Sequence, residues 1–239
     1  MSNNLTLHTL SLPPFDNLII KTLPNADYTT THTAMFDKTL QKIDQKKAGN
    51  PLPDELWLVE HSDVYTLGQA GKKEHILYDT GTPIIQTDRG GQVTWHGTGQ
   101  LTAYFLWDLN ALCWGVRDLV SHAEQAIEDV VNAYLPNGLT AKARKEAPGV
   151  YVYNTDGDML GKIASLGFKI KHSHSYHGIA INLINDLIAF NAINPCGYAG
   201  MTMVKLAQFC EFDSDEFILK LTDNLVKRRN GTIALRKFD

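Results

Sequence analysis

The 239-residue chain predicts an α+β fold with a mostly antiparallel sheet. Two stretches repeat apolar residues at helical spacing near residues 27–47 and 115–135. Three consecutive strand-like stretches between residues 149 and 184 follow one another across turn signals, as in a meander. The order of the two patterns is neither strict βαβ alternation nor all-β.

Taken in order, the N-terminal segment ending in "NLIIKTL" reads as an extended edge strand. From Asp27 to about Lys47, residues Ala34, Met35, Leu40 and Ile43 recur near helical spacing. "AGNPLPDE" is a connector, and "ELWLVEH" reads as a strand by its β-friendly content. "DVYTLGQAGKKEHIL" runs from it into a glycine-bearing loop. "PIIQT" and "LTAYFLWDL" are strands joined by a glycine-rich loop or hairpin. "GVRDLVSHAEQAIEDVVNAYL" is the clearest helix, with Val116, Leu119, Val120, Ala123, Ile127, Val130 and Val131 on its apolar period and Pro136 and Gly138 ending it. The meander is "GVYVY", "DMLGKIASLGFKIK" and "YHGIAINLI", with "NTDGD" as the first turn. A last helix over "SDEFILKLTDNLVKRRN" is expected to be capped by Ser214 and to bury Phe217, Leu221 and Val226. No repeat or linker interrupts the chain, so one domain is expected over 1–239, with its core at about 27–228.

Hydrophobic residues at 44% and charged residues at 20% are ordinary for a globular protein. The net charge of −4 lacks the basic excess of a nucleic-acid binder. No apolar run reaches the length of a membrane span, and the N-terminus lacks the basic and apolar regions of a signal peptide. Cys113, Cys196 and Cys210 cannot all pair with one another, and none forms a C-x-x-C. Reduced thiols in a cytoplasmic protein are the expectation.

Cys196 stands out because "NPCGYAGM" sets it between a proline and a glycine. A thiol with a free pKa of about 8.5 needs a nearby cation, base or helix N-terminus to act as a nucleophile near neutrality. Otherwise it is a buried structural residue. Cys113 and Cys210 lie in apolar settings and read as packing residues. Lys162 in "GKIASLG" interrupts an apolar strand, where it either guards a sheet edge or turns inward to form a coupled pair with Cys196. "HSHSYH" offers His172, His174 and His177. On a strand the first two share one face and the third takes the other, a poor arrangement for one metal, and no metal is expected; a solvated loop is the alternative for His172 and His174. "DRGGQVTWHGTGQ" is neither a Walker loop nor a dinucleotide fingerprint. Its glycines either allow close backbone approach to a ligand or shape a tight hairpin, and Arg89 offers a fixed cation.

Together "GQAGKKEHIL", "RGGQVTWHGTGQ", "APGVYV", "GKIASLG", "YHGIAIN" and "NPCGYAGM", in this order between Glu55 and Gln208, resemble the lipoyl(octanoyl) transferase family. The resemblance implies the fold of biotin/lipoate protein ligases, akin to class II aminoacyl-tRNA synthetases and biotin synthetases. It implies transfer of an octanoyl group from octanoyl-acyl carrier protein to a lysine of a lipoyl domain, with no cofactor, nucleic acid or membrane. Acceptors would be the lipoyl domains of 2-oxo acid dehydrogenases and the glycine cleavage H protein. By motif, Cys196 is similar to the thioester nucleophile and Lys162 to the residue that tunes it. Acyl-binding segments fall on Arg89, Gly90, Gly91, Gln92, Val93, Thr94, Trp95 and His96, on Ser165, Leu166 and Gly167, and on Gly178, Ile179 and Ala180. Two positions depart from the family pattern: Thr98 stands where proline is usual, which would loosen that loop, and Ala164 where cysteine is often found. Three rivals remain: an ATP-dependent lipoate or biotin ligase that needs no Cys196, a cysteine hydrolase activated by His177, and a non-catalytic binder of acyl carrier protein.

Overall fold

A computed structural model describes residues 5–7, 17–195 and 200–236. Seven strands form the main sheet: β1 (Leu18–Ala26), β2 (Asp54–His61), β6 (Gln100–Leu106), β7 (Thr140–Ala143), β8 (Val150–Tyr153), β9 (Met159–Lys171) and β10 (His174–Asn182). Their spatial order is β1-β2-β6-β10-β9-β8-β7, and only the β1–β2 pair is parallel. The meander read from the sequence is the β8–β9–β10 half of this sheet. β1 lies at an edge, as expected. A second sheet, ordered β4-β3-β5, joins β3 (Val64–Leu67), β4 (Ile84–Gln86) and β5 (Val93–His96). It was not legible in sequence, because β5 lies inside the glycine-rich stretch.

Helices cover both faces. α2 (Val116–Asn132) and α3 (Ser214–Arg229) close one side over a core that includes Leu58, Phe105, Ala123, Ile127, Ile163, Ile179 and Leu221. α1 (Tyr28–Lys47) covers the other side through Met35, which packs with Trp57, Tyr104, Leu106 and Tyr176. No helix among the described residues is long and apolar enough to cross a membrane.

The helix details refine the sequence reading. On α1 the inward face is Thr31, Met35, Thr39, Lys42 and Ile43, while Ala34 is exposed. Polar residues are tolerated there because each is paired: Thr39 donates to the Met35 carbonyl at 2.9 Å, and Lys42 Nζ to the Pro53 carbonyl at 2.6 Å and Asp54 at 3.1 Å. Regular α2 ends at Asn132, before Pro136, where the Asn132 side chain turns to the Ala141 backbone. Val116 is 52% exposed instead of buried, since it lies in the first turn, beyond the edge of the core. Asp213, not Ser214, caps α3, its Oδ1 accepting from the N–H groups of Asp215 and Glu216 at 2.8 and 3.0 Å. Phe217, Leu221 and Val226 are buried as expected.

Two strand features position the site. β9 has thirteen residues and its outer partner β8 only four, so β8 covers β9 no further than Ala164. The register between them shifts at Val150/Tyr151, a bulge that leaves Ile163 without a partner. Beyond Ala164 the outer edge of β9 is open, and the loop of residues 89–92 lies against it, with Gly90 N–H donating to the Phe168 carbonyl at 3.2 Å. Gly178 on β10 is required by close packing: a Cβ there would stand 1.8 Å from the Ala103 carbonyl oxygen.

Candidate active site

A cavity of 330 Å³ lies along this open edge. Its walls come from β5, β6, β9 and β10, from the loop of residues 89–92, from Val116 and Val120 of α2, and from Glu146, Ala147 and Pro148. Three motifs far apart in sequence therefore meet at one slot. Of the candidate binding residues, thirteen line it: Arg89 to Thr94, His96, Ser165, Leu166, Gly167, Gly178, Ile179 and Ala180. Trp95 does not. The alternation of β5 sends it into a second cluster, edge-on to Phe190 with ring centroids 5.6 Å apart.

Lys162 also lines the cavity. It is 2% exposed on a strand flanked by partners on both sides, so it is no edge guard. Its Nζ donates to the Pro148 carbonyl at 2.9 Å and lies 5.3 Å from the centre of the Tyr151 ring. Gly149 makes this approach possible: its φ is +140°, and a Cβ there would stand 2.4 Å from Lys162 Cε. The backbone of Lys162 is tied to the segment after the cysteine motif, its N–H donating to Thr202 O at 2.9 Å and its carbonyl accepting from Val204 at 3.0 Å. Asn194, two residues before Cys196, donates to the His75 carbonyl at 2.8 Å. Cys196 itself lies outside the described residues. Among the described cysteines Cys113 is exposed, which corrects its reading as a packing residue: it sits on a turn with φ +57°. Cys210 is half-buried against the core.

Arg89 is committed to shaping its own loop. Its Nε and Nη2 donate to Thr66 Oγ1, Nη2 also to the carbonyls of Thr66 and Gln92 at 2.7 and 2.8 Å, and Nη1 to the Gly90 carbonyl at 2.8 Å. Gly68 lets that loop cross closely, since a Cβ there would stand 2.4 Å from the Gly91 carbonyl oxygen. Thr98 sits in a turn closed by Gln100 N–H on the Gly97 carbonyl at 3.1 Å. Glu60 fixes the adjacent Gly99 N–H at 2.8 Å, so the missing proline leaves no loose loop.

Where His96, Tyr104 and His177 line the cavity, a polar network lies behind them. Asp88 Oδ1 accepts from His177 Nε2 at 2.8 Å and His32 Nε2 at 3.0 Å, and its Oδ2 accepts from Tyr176 at 2.5 Å. Burial alone would raise the Asp88 carboxyl, but these three hydrogen bonds outweigh it and hold the group well below the usual carboxylate range. Burial also lowers His177. His61 donates from Nδ1 to the Ala26 carbonyl at 3.0 Å, so its Nε2 accepts from Tyr104 at 2.7 Å, and burial takes its pKa to about 4. His96, held by Gln100 at 2.8 Å, is likewise kept neutral by burial. His32, Asp88 and His177 place their ligand-type atoms within 4.8 Å of one another, the one such group among the described residues. Sequence reasoning missed His32 and Asp88: the packing of α1 against β10 brings His32 to His177, and the loop between β4 and β5 brings Asp88. The solvated-loop alternative holds for His172 and fails for His174. Positive φ at His172 and Ser173 (+46° and +62°) makes them the turn between β9 and β10, while His174 is buried beside Asp108.

The family model of the Lipoyl protein ligase A/B catalytic domain matches residues 30–226. The octanoyltransferase of Psychrobacter cryohalolentis is 52% identical, covering 97% of this chain and 96% of its own length; that of Psychrobacter arcticus is 50% identical, covering 98% of each. The archaeal bi-partite lipoate protein ligase from Thermoplasma acidophilum superposes with a TM-score of 0.58 at 13% identity, covering 92% of this chain and 86% of its own. The match reaches well beyond the Glu55–Gln208 span that the motifs marked. The chain belongs to the lipoyl protein ligase A/B catalytic-domain family, in its octanoyltransferase branch, and is an acyltransferase.

Proposed function

We propose that the chain transfers an octanoyl group from octanoyl-acyl carrier protein to the ε-amino group of a lysine in a lipoyl domain, with Cys196 as thioester nucleophile and Lys162 as its activating base. The observation that carries this is a lysine buried to 2% exposure at one end of a slot lined by both other motifs. The segment that follows Cys196 is hydrogen-bonded to that lysine's own backbone. The relatives named octanoyltransferase support the acyl group. The Thermoplasma ligase is described with its E2 lipoyl domain, which supports a lipoyl domain as acceptor.

The ammonium of Lys162 favours the thiolate of Cys196. The thiolate attacks the octanoyl thioester and the carrier's thiolate leaves, so one thioester replaces another and no ATP is consumed. Acylation removes the anion that kept Lys162 charged, and Lys162 gives its proton to the leaving carrier thiolate. Neutral Lys162 then takes a proton from the incoming ammonium, whose free pKa is about 10.4, and the amine displaces the Cys196 thiolate to form the amide, its second proton passing to solvent. Roughly six buried methylenes contribute about 5 kcal/mol to holding the chain. Lys142, Arg144 and Lys145 beside the β7–β8 edge, and Lys169 and Lys171 at the far end of β9, offer two basic patches for acidic carrier and lipoyl domains.

The hydrolase reading is disfavoured by register. His177 pairs with Phe168, six residues along β9 from Lys162, about 20 Å of strand. Intact-mass measurement after adding octanoyl-carrier protein without ATP tests the proposal. One octanoyl group should appear on the wild type and none on Cys196→Ser, and a wild type that stays unmodified sinks it.

A further inference from the structure

One buried acid stands behind this machinery. Glu124 lies on α2, 5% exposed, and its Oε1 accepts the Gly149 N–H at 2.9 Å. One turn along, Glu128 Oε1 accepts the Ala143 N–H at 2.5 Å. The two carboxylates grip both ends of the loop that joins β7 to β8. Only the Glu124 end touches the proposed base: the residue before Gly149 is Pro148, whose carbonyl receives Lys162 Nζ at 2.9 Å, and Gly149 itself lies against the lysine stem.

We propose that Glu124 is a positioning residue for Lys162, fixing through Gly149 the carbonyl on which the ammonium rests and lending it negative charge from behind. This rests on the reading of Lys162 as the base for Cys196. Burial pushes the Glu124 carboxyl up to about 7, with the Gly149 N–H opposing, Glu128 adding to the rise and Lys162 opposing it. Among the described residues the charged groups packed nearby are otherwise engaged: Arg228 of α3 pairs with Asp129, and Arg236 with Glu128. A proton on Glu124 therefore withdraws charge from behind Lys162 near neutral pH.

The test measures Cys196 acylation by octanoyl-carrier protein in the full chain. It adds an NMR titration of Lys162 with ε-carbon-labelled lysine. Glu124→Ala is expected to slow acylation about 10–100-fold with little change in donor KM, the cost of a displaced reacting group. Glu124→Gln keeps an oxygen for the Gly149 N–H. It should recover acylation to within about threefold while Lys162 titrates at lower pH. Glu128→Gln, holding the other end of the loop, should leave the acylation rate unchanged. If Lys162→Ala abolishes acylation while Glu124→Ala acylates like wild type, the role of Glu124 is overturned and the base stands. If Lys162→Ala acylates normally, both fall. Should Glu124→Ala fail to fold, Glu124→Gln decides alone: a Lys162 titration that does not move, or a rate as low as that of Lys162→Ala, overturns the proposal.

Discussion

The two ends of the cavity are built by opposite rules. At the far end Asp88 carries three side-chain donors, His61 and Tyr104 are paired, and His96 is held by Gln100. At the near end Lys162 Nζ rests on a backbone carbonyl and an aromatic face, with the Glu124 carboxyl behind them on a glycine amide. The first arrangement locks each proton to one site. The second sets a buried cation against a backbone carbonyl and an aromatic ring, the setting that the proposed role of Lys162 as base would use. A hydrogen-bond line joins the two ends, from His96 through Gln100 and Asn182 to the Val204 carbonyl, whose own N–H binds the Lys162 carbonyl. The rigid end thereby holds the responsive one in place.

The contrast can be broken from either side. The largest effect is expected from Lys162→Ala: loss of acylation by about 10³-fold, within the usual range for removing a proton-transfer group, read by rapid-quench mass measurement. Filling the slot between the ends comes next. Ala180 lines it at 6% exposure. Ala180→Leu should cost about 10–200-fold in kcat/KM for octanoyl donors and less for butyryl ones, checked by competing donors of different length. Asp88→Asn should act on the scaffold alone. We expect a loss of about 1–2 kcal/mol in denaturant unfolding, with acylation changed less than about threefold. A collapse of acylation there would place the far end in the chemistry.

The smallest effect is a pH dependence of stability. A carboxyl raised from 4.5 to about 7 by folding binds more protons in the native state than in the unfolded one over that window. Its contribution is fully present below pH 4.5 and lost as pH rises to 7. Glu124→Gln should therefore gain a few degrees of Tm on the parent at pH 8 and less at pH 5. His61 and His122, lowered to about 4 by burial, have the opposite sign. Their contribution is present above pH 6.5 and lost as pH falls towards 4, so thermal scans below pH 6 should show it.

How much of this was legible depends on the range of the interaction. The periodicity of α1, α2 and α3 and the turn residues of the β8–β9–β10 meander are local, and they mark these elements within a few residues. Where a local reading failed, a tertiary contact overrode it. Ala34 yields the buried face of α1 to Thr39 and Lys42, because backbone and Asp54 partners satisfy them. Trp95 leaves the slot because β5 belongs to a second sheet. The dyad candidate was visible as motifs, yet Glu124 was only an unremarked acid on an amphipathic helix, with no periodic or motif signal to mark it.

The residue pattern by itself determined the fold class and the order of most elements, because turn chemistry and hydrophobic period act over a few neighbours; the segments that line the slot were implied by the family resemblance of their motifs. Tertiary structure alone decided that Lys162 is buried instead of guarding an edge, that Asp88 and His32 meet His177, and that Glu124 stands behind the proposed base. Those facts follow from sheet order and from the open edge of β9 beyond Ala164, where strands distant in sequence come into contact.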